Sequence, residues 1–477
     1  MNLLADLLMH AGQVTPDAPA IEVPDDRVWT HGDLAAASAR MAHALVGLGV
    51  APGDRVAVQL PKSVPAIALH LACIRAGAVY LPLNSAYTPA ELGSLLDDAE
   101  PTLLVRDQAI EHSVRCLAMD DVWQLSLESP EAFDDVARDA DDPAAILYTS
   151  GTTGRPKGAV LSHGNLAASA TTLVTSWGFT PGDVLLHILP LFHTHGLFVA
   201  LHTVLASGGS LILQASFDPV SVVADLPRAS VLMGVPTHYV RLLAEPTFTR
   251  AVTSGIRLFT SGSAPMLVST HEEFTARTGA VILERYGMTE TCMLTSNPLV
   301  GVRKAGTVGP PLPGVQLRLA GESPAGIQVR GPNVFAGYWR RPELRATEFT
   351  DDGWFITGDL GTIDADGYVE IVGRSKDLII TGGLNVYPKE IELLLDTLPG
   401  VGESAVIGVQ DPDFGEAVVA VIVAEDPAHQ PDPEHLRELA RVHLAGFKVP
   451  KRIHVADELP RNAMGKVEKA RLRAEYS

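Results

Sequence analysis

Between residues 142 and 290 the chain repeats one alternation, in which short β-branched apolar runs give way to polar turns and then to helical spacing. AAILYTS, DVLLHILP, SLIL, SVLMGV, IRLFTSG and AVILERYG read as strands. HGLFVALHTVLASGG reads as a helix stopped at Gly208, and Pro236 is placed to open the helix PTHYVRLLAE. That alternation predicts a parallel sheet with crossover helices. The polar residues of the region fall at the carboxyl ends of its strands: Thr149 and Ser150, His193 and His195, Thr237, Ser261 and Ser263, then Arg285 to Glu290. Open α/β sheets bind their ligands along that edge.

The rest of the chain divides in two. From about 350 to 385, closely spaced Asp-Gly and Gly-Gly steps between short apolar runs predict hairpins and a junction. Beyond it, ESAVIGV and AVVAVIV read as strands and PEHLRELARVHLA as a helix, enough for a small α/β domain. A chain of 477 residues is too long for one ordinary core. We place the boundary so that 1–374 is the large domain and 375–477 the small one.

Charge and composition narrow the function. With 36 basic and 56 acidic residues the formal charge is −20, which repels phosphate backbones and anionic lipid, so neither nucleic acid nor a membrane is expected as a partner. Cys73, Cys116 and Cys292 are too scattered for a disulfide framework or a Cys-x-x-Cys metal site. The start, MNLLADLLMHAGQ, lacks a basic n-region, and no apolar run reaches the roughly 18 residues of a membrane span, so a cytoplasmic location is expected.

YTSGTTGRPKG, residues 148–158, packs three Gly and several hydroxyls behind a strand and ends on Lys157. A loop of this kind can wrap backbone N–H groups, hydroxyls and a cation around phosphates. It is not a Walker A loop, because no G-x-x-x-x-G-K-[ST] occurs in the chain.

YTSGTTGRPKG, LPLFHTHGL, RYGMTE, WFITGDLG, GRSKDLIITGG and PRNAMGK, in this order and at these separations, resemble the adenylate-forming superfamily of acyl-CoA synthetases, nonribosomal adenylation domains and luciferases. The resemblance spans nearly the whole chain. It implies an α/β fold: a large N-terminal domain with parallel sheets flanked by helices plus a small β-rich subdomain, and a small mobile C-terminal α/β domain. It also implies a two-step ligase. ATP and a carboxylate give an acyl adenylate and pyrophosphate; the small domain then turns, and a thiol attacks the same carbonyl to give a thioester.

Residue roles follow from the resemblance. The loop with Thr149, Ser150, Gly151, Thr152, Thr153, Gly154 and Lys157 is expected on the β- and γ-phosphates of ATP. Tyr286 is expected on adenine within Tyr286-Gly287-Met288, Thr289 on the α-phosphate, and Glu290 on Mg²⁺, whose preference for oxygen suits a carboxylate completed by phosphates and water. Asp359 takes the ribose hydroxyls with Arg374 beside it, and Lys466 neutralises charge between the attacking carboxylate and the α-phosphate. Gly382 and Gly383 would let the pantetheine arm of CoA pass close to backbone, and Lys448, in the basic run GFKVPKR, would meet CoA phosphates. The hinge falls at Lys376, where many relatives carry Asp.

Arg285 bears on the acid. A guanidinium stays charged and is costly in an acyl pocket unless an anion meets it, so a substrate with a second carboxylate is expected. ERYGMTE with FHTHGL looks like the malonyl-CoA synthetases of the superfamily. His193 falls near the reacting carboxylate, with His195, Ser261 and Ser263 as further polar groups of the pocket. Malonate, or a methyl-substituted malonate, is therefore the acid expected, with CoA as acceptor. Another short acid, or a carrier-protein thiol in place of CoA, shares the same ATP motifs and stays open at this point. So does pairing of Arg285 with its neighbour Glu284, which would turn it away from the pocket.

Overall fold

The alternation between 142 and 290 divides between two sheets. In the computed structural model, which describes residues 1–477 except 25, 109, 150–155, 382–383, 413 and 463–464, an 8-stranded sheet runs in the order Thr295–Ser296, Leu283–Tyr286, Leu258–Ser261, Val231–Gly234, Val184–His187, Ser210–Leu213, Pro19–Glu22 and Val28–Thr30. Its inner strands pair in parallel, and only the two ends turn antiparallel. Pro143–Thr149 belongs elsewhere, in a 7-stranded sheet with Val79–Pro82, Arg55–Gln59 and Leu103–Arg106. It pairs antiparallel with Lys157–Ser162, from Pro143 opposite Ser162 to Thr149 opposite Lys157. Residues 150–156 are all that separates these strands, and so short a connection cannot carry a parallel crossover. A single parallel sheet across 142–290 is thus corrected to two, both flanked by helices as expected of an α/β fold.

Local chemistry sets the helix ends. Ser162 caps His163–Ser176 in a reciprocal box with Asn165, and Pro236 opens Pro236–Ala244 where its missing N–H costs nothing. The stretch from His195 to Gly208 is helical as expected, but in two forms. His195–Leu201 is a buried π-helix, and His202–Ser207 is an α-helix closed by Gly208 at φ 71. Wide turns of this kind concentrate at functional sites, and this one begins on His195.

Two compact units are distinguished. Residues 1–316 with 329–355 form the first, and 317–328 with 356–477 the second. The second contains the predicted hairpin, Phe355–Ile363 against Val369–Arg374, within a 4-stranded sheet. It also contains a 5-stranded sheet in which Val401–Asp411 and Gly415–Ala424 form a long antiparallel pair, with Arg452–Ala456 added in parallel. The central strand of that sheet, Gly415–Ala424, is buried on both faces: Val418, Ala420 and Ile422 pack with Ile391, Leu395 and Leu436, whereas Val419 and Val421 pack with Leu459 and Leu472. Among the described residues no helix is long and apolar enough to cross a membrane.

Candidate active site

Arg285 lies on the strand Leu283–Tyr286 and is 3 % exposed. Side chains alternate across a strand, so its neighbour Glu284 points to the other face. There Glu284 Oε1 accepts from the Gly306 N–H at 3.0 Å and lies 3.5 Å from His271 Nδ1. The Arg285–Glu284 pairing is therefore absent. Burial pushes Arg285 down to about 10, against a smaller opposing pull from Tyr239, so at neutral pH the buried side chain is still a cation. Its Nε and Nη2 have no hydrogen-bond partner, and no carboxylate pairs with it among the described residues. An unmet buried donor costs roughly 1–3 kcal/mol, more when charged.

The guanidinium lies against Gly262. A Cβ there would fall 2.3 Å from Nη1 and 2.5 Å from Cζ, so Gly in Ser261-Gly262-Ser263 is what leaves room for the side chain. Ser261 is buried and its Oγ has no partner among the described residues. Ser263 Oγ lies 3.4 Å from His195 Nδ1. His195 Nε2 is buried without a partner among the described residues, and desolvation, followed by the charge of Arg285, holds the imidazole well below its ordinary pKa. His193 is pushed down to about 4 by burial. Both imidazoles are therefore neutral at pH 7, able to donate one hydrogen bond and accept another without adding to the charge of Arg285.

On the phosphate side the first unit joins residues far apart in sequence. Lys157 Nζ contacts Glu348 Oε1 at 2.7 Å and stands 5.1 Å from the centre of the Tyr338 ring. Tyr338 donates its hydroxyl to Glu290 Oε1 at 2.9 Å. Thr149 Oγ1 lies 3.5 Å from the Lys157 carbonyl. Tyr286, Gly287, Met288 and Thr289 are half-buried just before Glu290, which is 5 % exposed. Gly287 is obligatory here, since a Cβ would fall 1.8 Å from the Cys292 carbonyl oxygen. Tyr338 and Glu348 escaped sequence reasoning; the only signal was an aromatic-basic run, GYWRR, with no spacing that ties it to Glu290. Ser150, Gly151, Thr152, Thr153 and Gly154 lie outside the described residues.

Within the second unit Asp359 stands opposite Arg374 across the hairpin, with Nε 2.8 Å from Oδ1. Asp359 is 3 % exposed. Lys466 keeps one face open to solvent, yet protein crowds it. Desolvation first, then Arg374 and Lys376 against the opposing pull of Asp359 and Asp377, bring its pKa down to about 8. Solvent on the open face weakens the part due to burial, so the positive neighbours carry the direction as well. Lys376 is exposed in the short turn Ser375–Asp377. Lys448 is engaged by both oxygens of Glu390, at 2.6 and 2.8 Å, so a phosphate there has to displace a carboxylate. Gly382 and Gly383 lie outside the described residues.

A hard-oxygen metal fits this donor set. Among the described residues no group of three or more His, Cys, Asp or Glu side chains could hold a metal ion. A buried lone carboxylate such as Glu290 suits Mg²⁺, which takes one or two protein carboxylates and completes its shell with water and substrate phosphates. A cleft of about 650 Å³ elsewhere, between Trp29, Lys62, Trp123 and Gln214, contains neither Arg285 nor Glu290. Among the described residues, Arg285, Ser261 and His195 bring buried polar atoms without partners together at the candidate site, and the cleft lies elsewhere.

The chain is similar to known proteins over nearly its whole length. Residues 8–339 match the family model of the AMP-binding enzymes, and 390–466 that of the AMP-binding enzyme C-terminal domain. A feruloyl-CoA synthase from Amycolatopsis is 38% identical over 98% of this chain and 98% of its own. The malonate–CoA ligase of Arabidopsis thaliana is 36% identical over 90% of this chain and 79% of its own. The crystal structure of ATP-bound MatB from Rhodopseudomonas palustris superimposes with a TM-score of 0.94 at 50% identity, covering 99% of each chain.

Proposed function

We propose that this chain, which belongs to the AMP-binding enzyme family and is an ATP-dependent, AMP-forming acid–CoA ligase, takes malonate as its acid and makes malonyl-CoA through malonyl-AMP. The observation that carries the choice is the buried guanidinium of Arg285 with Nε and Nη2 unmet among the described residues. A malonate bound with its far carboxylate on that fork satisfies the donors in one bidentate contact. Malonate–CoA ligases among the relatives, including that of Arabidopsis thaliana, support the reading. A feruloyl-CoA synthase stands among them too, so an aromatic monoacid is the rival.

In the first step the near carboxylate of malonate attacks the α-phosphorus of ATP and pyrophosphate leaves. Lys157 and the loop before it hold the β- and γ-phosphates, Tyr286 and Thr289 place adenine and the α-phosphate, and Asp359 with Arg374 takes the ribose. Glu290 would hold Mg²⁺, which supplies positive charge to the phosphate oxygens. Lys466 offsets the charge that accumulates between carboxylate and phosphorus. Neutral His193 contributes a hydrogen bond to the near carboxylate, and His195, Ser261 and Ser263 border the far one. In the second step the small domain turns about Lys376 and the CoA thiol attacks the carbonyl, expelling AMP. Pyrophosphate release and thioester formation with malonate, methylmalonate, succinate, acetate, butyrate, benzoate and ferulate test the reading; turnover concentrated on the first two upholds it, and comparable use of ferulate or acetate overturns it.

Two expectations follow from the geometry. Gly262→Ala places a methyl against the guanidinium and is expected to lower kcat/KM for malonate by about tenfold or more, with little change in the KM for ATP. Lys466 acts as an ammonium, so its contribution is present below a pKa of about 8 and is lost as pH rises through it. Because kcat/KM reports the free enzyme, adenylate formation should fall above that pH by up to about tenfold per unit. In Lys466→Arg the fall should disappear, since a guanidinium keeps its proton to about pH 12.

A further inference from the structure

Lys62 takes no part in the steps above, yet its ammonium is set against the segment that carries both pocket histidines. It projects from the residue before Ser63, which caps the helix Val64–Ala76, so its base is fixed. Nζ lies 2.9 Å from the Leu189 carbonyl oxygen, 3.0 Å from that of His187 and 3.4 Å from His187 Nδ1. Three N–H donors meet three acceptors. No carboxylate pairs with Lys62 among the described residues.

His187 continues the connection. It ends the strand Val184–His187 and is completely enclosed, and its Nε2 lies 2.9 Å from the Gly196 carbonyl oxygen. A carbonyl accepts, so Nε2 carries the proton and Nδ1 is left to accept from Lys62; the neighbouring groups thus assign the tautomer. Gly196 follows His195 in the first turn of the π-helix. A Cβ at Gly196 would fall 2.1 Å from the Pro190 carbonyl oxygen, so the 189–196 segment closes on itself there. Lys62 holds its beginning and His187 its end, and His193 and His195 lie between.

We propose that Lys62, acting through His187, is a positioning residue for the acid pocket: it holds 187–196 so that His195 stands beside Arg285. Its importance for the diacid rests on the reading of that pocket given above. The arrangement assigns Lys62 no contact with substrate. Its removal should loosen one wall of the acid pocket and leave the ATP site intact.

The test uses the full chain with Lys62→Met, His187→Asn and His187→Gln. The Gln amide nitrogen stands where Nε2 stands and keeps the bond to Gly196, whereas the Asn amide reaches only the Nδ1 position. Lys62→Met and His187→Asn should raise the KM for malonate by about tenfold, with the KM for ATP within about twofold of wild type, and His187→Gln should stay within about threefold on both. Without substrates, the amides of 189–201 should exchange deuterium faster in the first two variants, with unchanged exchange elsewhere as the control for folding. Equal rises in both KM values, or unchanged exchange at 189–201, overturn the proposal. Should wild type ignore malonate while exchange at 189–201 still responds to Lys62→Met, the positioning role stands and the diacid reading falls.

Discussion

Replacing Lys466 with Ala is expected to slow malonyl-AMP formation by about 10²–10³ while leaving thioester formation from supplied malonyl-AMP nearly unchanged. The asymmetry follows from where charge develops. In the first step a carboxylate approaches a triphosphate, and two anionic groups are forced together at one phosphorus. An ammonium fixed there stabilises the transition state more than the separated reactants, which is the condition for raising kcat. In the second step the attacking group is a thiol and the centre is a carbonyl, so the same charge has little to offset. The lowered proton affinity of Lys466 belongs to this account, since burial first, and then Arg374 and Lys376 beside it, disfavour the charged form until a phosphate arrives. Separate assays of the two half-reactions check the prediction; equal loss in both removes the role assigned to Lys466.

Arg285→Met should produce the second large effect, and it should act on function and stability in opposite directions. The variant loses the fork that meets the far carboxylate. A hydrogen bond to a charged group contributes about 1.5–3 kcal/mol, so kcat/KM for malonate should fall by roughly ten- to a hundredfold or more. The KM for ATP should hold. Without the acid, wild type keeps a desolvated cation whose Nε and Nη2 have no partner among the described residues, and an apolar side chain of similar length removes that cost. The melting temperature of the variant should therefore equal or exceed that of wild type in buffer alone. Malonate should then raise the wild-type value by mass action and leave the variant's where it was. A variant that melts lower in buffer and still responds to malonate contradicts both halves.

Different physical signals made different parts of this molecule legible. The strand ends bearing Thr149, Ser261 and Arg285 were readable because apolar runs of strand length are followed at once by polar residues that nothing else in the pattern explains. The orientation of Arg285 was readable in principle from the period of two, which sends Glu284 the other way. Its isolation was not, because the absence of a partner is a property of the whole pocket. Division of the 142–290 region into two sheets turned on the short connection at 150–156, a length visible in the sequence and outweighed by the regular alternation around it. The π-helix left no signature, since beyond His195 its residues carry no polar side chain, are all buried and so show no periodicity. Tyr338 and Glu290 are 48 residues apart and meet only through folding. Lys62 is also bound by distance, with its acceptors more than a hundred residues away in sequence.

Malonate and malonamate have the same length and nearly the same shape, and differ in whether the far end carries a charge. Comparing kcat/KM for the two in the pyrophosphate-release assay asks directly whether a carboxylate sits on the Arg285 fork. A malonate preference of about ten- to a hundredfold in wild type that collapses toward unity in Arg285→Met is the expected result. Equal use of the two acids by wild type, or a preference that survives Arg285→Met, contradicts it.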